Sequence, residues 1–339
     1  MTWDRLRNWK SALPLLAGLA LLWWALRSVS LTDVAAALAQ LSPTDIALLI
    51  VANIAVIILL TWRWAIFLRI QHCRVPFLQL VNYRLAAFGV SYFTPGPHFG
   101  GEPLQVYLPV KRHGVDAEKA VAAVALDKTI ELIVNFAFLV VAAAYVLQQG
   151  VLTGVSGFSV VGYALLLLAI PGGLLAAIWS GRHPLSQPLE WWNAWRPGPQ
   201  LASVIERIRR SEEAMGALCR QRPYALGLAL LAALLGWAAM IAEFWLMTHA
   251  LGIGLSLGEA LVAMLAMRLA ILLPMPAGLG ALEASLVVAM ELLGQSSAAG
   301  LSLALLIRVR DVLLGLLGLA LGGYSLWRRP PLPDAAVLD

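Results

Sequence analysis

Charge is what this chain lacks most. Only 13% of its 339 residues are charged, against 60% hydrophobic, and the mean hydropathy is +0.80. A soluble domain carries about 25% charged residues, so that deficit excludes an ordinary soluble fold. Period-two alternation is also missing. Backbone groups in lipid can be satisfied only inside helices or closed barrels, so its absence excludes the barrel and leaves helices. Cysteine is nearly absent. Cys73 and Cys219 stand alone, both in segments expected to face the cytoplasm, where thiols stay reduced. The five histidines, His72, His98, His113, His183 and His249, show no metal-binding spacing of the H-E-x-x-H kind. No G-x-S-x-G nucleophile elbow occurs. "GPHFGGE" (96–102) lacks the Lys-Ser/Thr that holds nucleotide phosphates. No metal, cofactor or catalytic residue is therefore expected.

What remains is a set of apolar runs near the length of about 20 residues that a spanning helix needs. Full spans are expected over 11–28, 46–68, 119–147, 158–179, 223–250 and 300–326. The apolar regions 78–110 and 258–293 are interrupted by proline and glycine, leaving arms of about 8–15 residues, too short to cross alone. Arg5, Arg7 and Lys10 precede the first run, but no small-residue cleavage site follows it, so a retained helix is expected rather than a signal peptide. Among the thirteen tryptophans, those in "TWRW" (61–64) and "EWWNAW" (190–195) fit interfacial belts.

The few charges are unevenly placed. Basic residues fall in 1–10, 69–77 (Arg69, Arg74), 111–119 (Lys111, Arg112, Lys119), 180–222 (seven arginines) and the tail (Arg328, Arg329). Segments 29–45, 148–157, 251–257 and 294–299 hold none. The positive-inside rule puts every basic segment in the cytoplasm, with both termini, in the cytoplasmic (inner) membrane. The net charge of +5 thus reports topology, and no nucleic-acid partner is expected. The assignment closes only if 78–110 enters and leaves from the cytoplasmic side and 258–293 from the outer side. A single crossing by 78–110 would invert everything downstream. The expected fold is an all-α polytopic membrane protein with six full spans and two re-entrant hairpins from opposite faces.

Residues 46–148 and 223–326 then have mirror topologies, an inverted repeat joined by a cytoplasmic linker over 180–222. "RLAAFGVSYFTPGPHFGGE" (84–102) and "RLAILLPMPAGLGALE" (268–283) each run Arg-Leu-Ala, Pro-x-Pro, glycines, glutamate. Prolines remove donors and stop helices, and glycines permit reversal. Pro95, Gly96, Pro97, Gly100 and Gly101, and Pro274, Pro276, Gly278 and Gly280, are the expected hairpin tips. Inverted repeats with broken helices are the recurring build of secondary transporters.

Eleven ionisable residues of the spans and hairpins are not placed in loops: Arg84, Lys128, Arg268, Arg308, Arg310, Glu102, Asp127, Glu131, Glu243, Glu283 and Asp311. Each costs roughly 2.5–3.5 kcal/mol at a helix centre, so they must pair or line a hydrated cavity. Asp127 and Glu131 share a face at i,i+4, with Lys128 beside Glu131 at i+3; Arg308 and Asp311 share another at i,i+3. Arg84 is close enough to a helix end to snorkel. Six acids face five bases, so an anionic substrate needs a freed arginine or a protonated carboxylate, and proton coupling through Glu102 or Glu283 would provide the latter.

In the linker, Leu201, Val204, Ile205, Ile208, Met215 and Leu218 recur at helical spacing, with Arg207, Arg209 and Arg210 on the other side. Residues 201–222 are read either as an amphipathic helix on the anionic inner leaflet or as a plain helical connection and hinge.

"PGPHFGGEPLQVYL" (95–108) and "PAGLGALEAS" (276–285), with the span pattern, resemble the lysylphosphatidylglycerol synthase transmembrane-region family over about 11–326. The resemblance carries over Gly96, Gly101, Glu102, Gly278, Gly280, Glu283 and Arg308. Where the family usually has Glu-Arg and a downstream acid, this chain has Asp127, Lys128 and Glu131. The resemblance implies a flippase-like module. The bifunctional members carry a large soluble aminoacyl-transfer domain after the membrane part; the present sequence ends at Asp339, so a stand-alone module without aminoacylation is expected. Other relatives are linked with glycolipid, polyprenyl-linked sugar and hopanoid pathways. The expected activity is translocation or binding of a lipid or lipid-linked headgroup in a polar cavity between the hairpins. Arg268 and Arg308 would contact phosphate, with Arg84 as a further contact. Glu102 and Glu283 would hold the hairpins or accept a cationic group. Asp127, Lys128, Glu131, Glu243, Arg310 and Asp311 would gate or support. The alternatives are an intramembrane lipid-modifying enzyme using Glu102 and Asp127 as paired carboxylates, or a non-transporting accessory subunit of an envelope-lipid complex. Protein partners left open are a second copy of the chain and an envelope-biosynthesis protein.

Overall fold

The computed structural model describes residues 39, 41–94, 100–148, 157–271 and 280–327. The expected first span (11–28), the tip residues Pro95, Gly96, Pro97, Pro274, Pro276 and Gly278, and His98 lie outside them. Among the described residues the fold is entirely helical: α1 Pro43–Ile70, α2 Phe77–Phe93, α3 Glu102–His113, α4 Ala117–Gln148, α5 Gly157–Trp179, α6 Ser186–Trp195, α7 Pro199–Gln221, α8 Pro223–Ala250, α9 Leu257–Ile271, α10 Ala281–Leu292 and α11 Ser297–Trp327.

Local chemistry explains several of these boundaries. Helix α1 starts with proline in its first turn, where the missing N–H costs nothing. Ser42 and Asp45 cap it reciprocally: the Ser42 amide donates to Asp45 Oδ2 at 3.0 Å and the Asp45 amide to Ser42 Oγ at 3.1 Å. Ser256 and Glu259 repeat the device at the start of α9. Among the described residues three helices, α1, α4 and α8, are long and apolar enough to cross a bilayer, and α1 leaves Leu48, Ile50, Val51 and Ile54 exposed, as a lipid-facing surface does. Helices α2, α3, α9 and α10 have 17, 12, 15 and 12 residues.

The chain forms two compact units. The first is built chiefly from Val51–Arg84 and Glu102–Ala242. In it α4 packs along α5, α3 packs on α4, and α7 lies against α4 and α5 and carries α6. Helix α7 meets the first turn of α4, where Arg210 Nη1 is 3.4 Å from Glu118 Oε1, and the last turn of α5, where Arg220 Nη1 donates to the Trp179 carbonyl at 3.2 Å. The start of α4 and the end of α5 therefore lie at one face, beside the linker. The apolar stripe recognised over 201–218 is largely used here: Ile205, Met215 and Leu218 are buried.

The second unit is built chiefly from Leu85–Gly101 and Glu243–Gly323. Helices α9 and α10 pack together. The C-terminal half of α2 lies on α11 with the backbones nearly touching: a Cβ on Gly318 would meet the Leu85 carbonyl, and one on Gly322 would sit 2.9 Å from Ala86 Cβ. Small residues allow this approach, and between membrane helices close packing replaces the hydrophobic drive. The chain returning after α2 is equally tight. Gly101 donates its amide to Ser91 Oγ at 2.8 Å, and a Cβ there would strike the Ala87 carbonyl.

The "TWRW" reading needs correction. Trp64 and Arg63 are fully buried, so this stretch is core rather than an interfacial belt. The tryptophans of "EWWNAW" are exposed. Both cysteines are free thiols, Cys73 half-buried and Cys219 buried.

Candidate functional site

Each unit pairs charges from its spans and short helices: the first gathers six into one connected cluster, and the second forms two separate groups. In the first, Asp127 and Glu131 sit one turn apart on α4, so a single guanidinium can straddle them. Arg63 of α1 does so, with Nε 2.5 Å from Asp127 Oδ1 and Nη2 2.7 Å from Glu131 Oε2. Arg84 of α2 approaches the same pair, 3.0 Å from Asp127 Oδ2 and 3.6 Å from Glu131 Oε2. Lys128 reaches Glu131 Oε1 at 2.9 Å and Glu102 Oε1, at the head of α3, at 3.2 Å. Three acids meet three bases. That neutrality lets the group stay buried, because an uncompensated charge there costs several kcal/mol, about 3–5 when one partner of a buried pair is removed.

In the second unit Glu283 stands in the first turn of α10. Its Oε2 accepts the Gly280 amide at 3.0 Å, and its Oε1 forms an ion pair with Arg308 Nη2 of α11. One carboxylate thus holds the turn at Gly280, where φ is +77° and glycine is favoured, and neutralises a buried guanidinium. Arg310 binds Glu243 of α8 at 3.0 Å and Asp311 at 2.8 Å. Arg268 is half-buried on α9.

The ion pairs of the two units share a wiring. In each, the glutamate heading the short helix after the Pro/Gly element pairs with a cation on the next long helix: Glu102 with Lys128, and Glu283 with Arg308. In each, an ionisable residue on the preceding long helix pairs with that same later helix: Arg63 with Asp127, and Glu243 with Arg310. The sign of this second pair is reversed between the units. Their saturation also differs. Asp127, Glu131 and Lys128 each engage more than one partner. Arg308, with a side chain only 2% exposed, has a single carboxylate, and its Nε and Nη1 have no hydrogen-bond partner among the described residues.

Several site expectations change with this geometry. Arg84 does not snorkel; its side chain is 12% exposed and held by Asp127 and Glu131. Asp311 is bound by Arg310, not by Arg308 as the i,i+3 spacing suggested, because the long guanidinium reaches sideways to its neighbour. Glu102 and Asp127, the pair considered for catalysis, both sit in ion pairs with bases. Arg63 was missed altogether. Its signal was present: an arginine seven residues from the end of α1 lies about 10 Å inside it, but the flanking Trp62 and Trp64 drew the stretch to the interface. Counting Arg63, six acids face six bases. Among the described residues no group of His, Cys, Asp and Glu is placed to hold a metal ion.

A family model described as the lysylphosphatidylglycerol synthase TM region matches residues 11–318. No curated protein matches the chain.

Proposed function

We propose, from the premise that this chain belongs to the lysylphosphatidylglycerol synthase TM-region family, that it takes a lipid or lipid-linked headgroup into the bilayer interior and passes it between leaflets. The family and the helical membrane architecture fit a membrane lipid-related role. The observation that carries the narrower reading is Arg308, a buried guanidinium with one carboxylate partner and unused N–H donors among the described residues. Guanidinium forks match phosphate geometry, and a charge kept at membrane depth is a functional candidate by default. An arriving phosphate competes with Glu283 for Arg308. Because the charges balance, its binding is favoured when Glu283 swings away or takes a proton. The acyl chains stay in lipid. The Arg63 cluster, with its charges already matched, holds the first unit together.

The same reading takes 78–110 and 258–293 as re-entrant hairpins within six spans. Their helices of 12–17 residues are about 18–25 Å long, short of the roughly 30 Å hydrocarbon core. The chain also comes back to α2 at both ends of α3, through Gly101 and Ser91 and through Tyr83 Oη and His113 Nε2, 3.1 Å apart. A cysteine at position 113 labelled only from the cytoplasmic side agrees with this topology; labelling from outside overturns it.

The functional test is purified protein in liposomes with fluorescent phosphatidylglycerol, read by reductant quenching of the outer leaflet. Protein-dependent exchange that is lost in Arg308→Gln and kept in Gly323→Ala supports the reading. Exchange no faster than in protein-free vesicles overturns transport of that lipid, and unchanged exchange in Arg308→Gln overturns the site. A chemically altered lipid found by mass spectrometry favours the enzyme instead.

A further inference from the structure

The segment between α5 and α8 has an outward face that the headgroup reading does not use. Helix α6 is clamped on α7 by one buried carboxylate. Glu212 accepts the amides of Leu185 and Ser186 at 2.7 and 3.2 Å and the Ser186 hydroxyl at 2.6 Å. It thereby satisfies donors that a helix start leaves open. Asn193 Oδ1 accepts the Gly198 amide at 3.1 Å and closes the turn into α7. With both ends tied, α6 cannot roll about its axis.

This fixes which side faces out. Ser186 is buried, and Leu189 and Asn193 are half-buried. At 100° per residue, Trp191, Trp192 and Trp195 fall within an arc of about 100° on the opposite side. They are 70%, 60% and 80% exposed, with the rings of Trp191 and Trp195 6.2 Å apart. A contiguous aromatic face of this kind marks an interaction surface.

We propose that α6 is a membrane-surface anchor whose Trp191–Trp192–Trp195 face lies in the headgroup region of the leaflet next to the end of α5, with Arg182 and Arg196 at anionic phosphates. Three features select a lipid interface. The arc is made of tryptophan, whose apolar body and N–H suit a boundary that is greasy on one side and wet on the other. The reach is short: α5 ends at Trp179 and α6 begins at Ser186, so the connection spans at most about 25 Å. At the other end α7 stops at Gln221 and the spanning helix α8 begins at Pro223. The charge is complementary: residues 180–222 carry seven arginines against four glutamates, and Arg182 and Arg196 are exposed. Anionic leaflets attract such segments. The apolar side of α7 is largely buried against protein, so α6 supplies the contact, and the Glu212 clamp transmits the anchoring to α7.

The test is independent of lipid transport. Full-length protein with Cys73→Ser and Cys219→Ser receives a spin label through Glu190→Cys, Trp192→Cys or Trp195→Cys, one indole at most being removed each time. It is reconstituted in vesicles of phosphatidylcholine with a minority of phosphatidylglycerol. The expected result is that labels at 192 and 195 lose collisions with a water-soluble nickel chelate and gain collisions with oxygen, while the label at 190 stays open to nickel. Equal nickel access at all three positions overturns the anchor. Shielding from both probes, unchanged between detergent and vesicles, also overturns it and points to a protein partner.

Discussion

Arg63 and Asp127 are 64 positions apart, yet their side chains meet at 2.5 Å with 1% and 3% of their surface exposed. Both lie on helices long and apolar enough to span a membrane. The pair, with Arg63–Glu131 beside it, ties α1 to α4 by charge.

Replacing Arg63 with leucine leaves Asp127 and Glu131 sharing the remaining bases. We expect a loss of roughly 3–5 kcal/mol, the cost of breaking a buried pair from one side. It should appear as a fall in the apparent melting temperature of the detergent-solubilised protein. Arg63→Leu with Asp127→Asn should recover part of that loss; no recovery would mean the two residues do not act as a pair.

Glu283→Gln separates two roles of one side chain. The amide oxygen can still accept the Gly280 N–H, so the start of α10 persists, but the charge opposing Arg308 is gone. Retention of phospholipid, read by native mass spectrometry, should rise while exchange slows. Unchanged retention and exchange would remove Glu283 from the reading.

Gly318→Val should be poorly tolerated. Its Cβ would meet the Leu85 carbonyl, and backbone cannot yield as a side-chain tip can, so the helices must part. The expected loss is about 1–3 kcal/mol or more, visible in size-exclusion profiles and melting. Gly323→Ala, with nothing within 4 Å of its new carbon, should be close to silent.

His113 gives a pH dependence of known sign. Burial, and then the nearby Arg112 charge, hold its imidazole below the ordinary value. The folded state therefore binds fewer protons there than the unfolded state. Its contribution is complete above the unfolded value, about 6.5, and is lost as pH falls through the folded one. Amide protection factors around Tyr83 and His113, in which the intrinsic slowing of exchange in acid is divided out, should fall on acidification below neutrality, and His113→Gln should flatten that response.

The thiols should differ in reactivity. Cys219 is buried and its thiol is pushed up to about 11 by burial, whereas Cys73 is only half-buried at the turn after α1. Maleimide should modify Cys73 first near neutral pH and reach Cys219 only on unfolding.

Much of this protein was legible residue by residue. Helix type and position follow from apolar run length and from punctuation by proline, glycine and capping residues. These are local properties, so α4, α5, α8 and α11 fall within a few residues of their expected bounds. The cost of a charge in hydrocarbon is also local, and it marked eleven of the twelve ions discussed above, all but Arg63. Arg63 escaped because its tryptophan neighbours imitate an interface, and nothing within a few residues distinguishes a belt from a core.

Composition and spacing alone determined that this is a helical membrane protein carrying a nearly balanced set of ions at depth. Only the tertiary structure decided which charge meets which: Arg63 with Asp127, Glu283 with Arg308, and Glu243 with Arg310. Helical spacing constrains neighbours on one rod. Partners on different rods are chosen by how closely the backbones approach, and that distance is set by glycines, such as Gly318 against Leu85, whose effect appears only once the helices are packed.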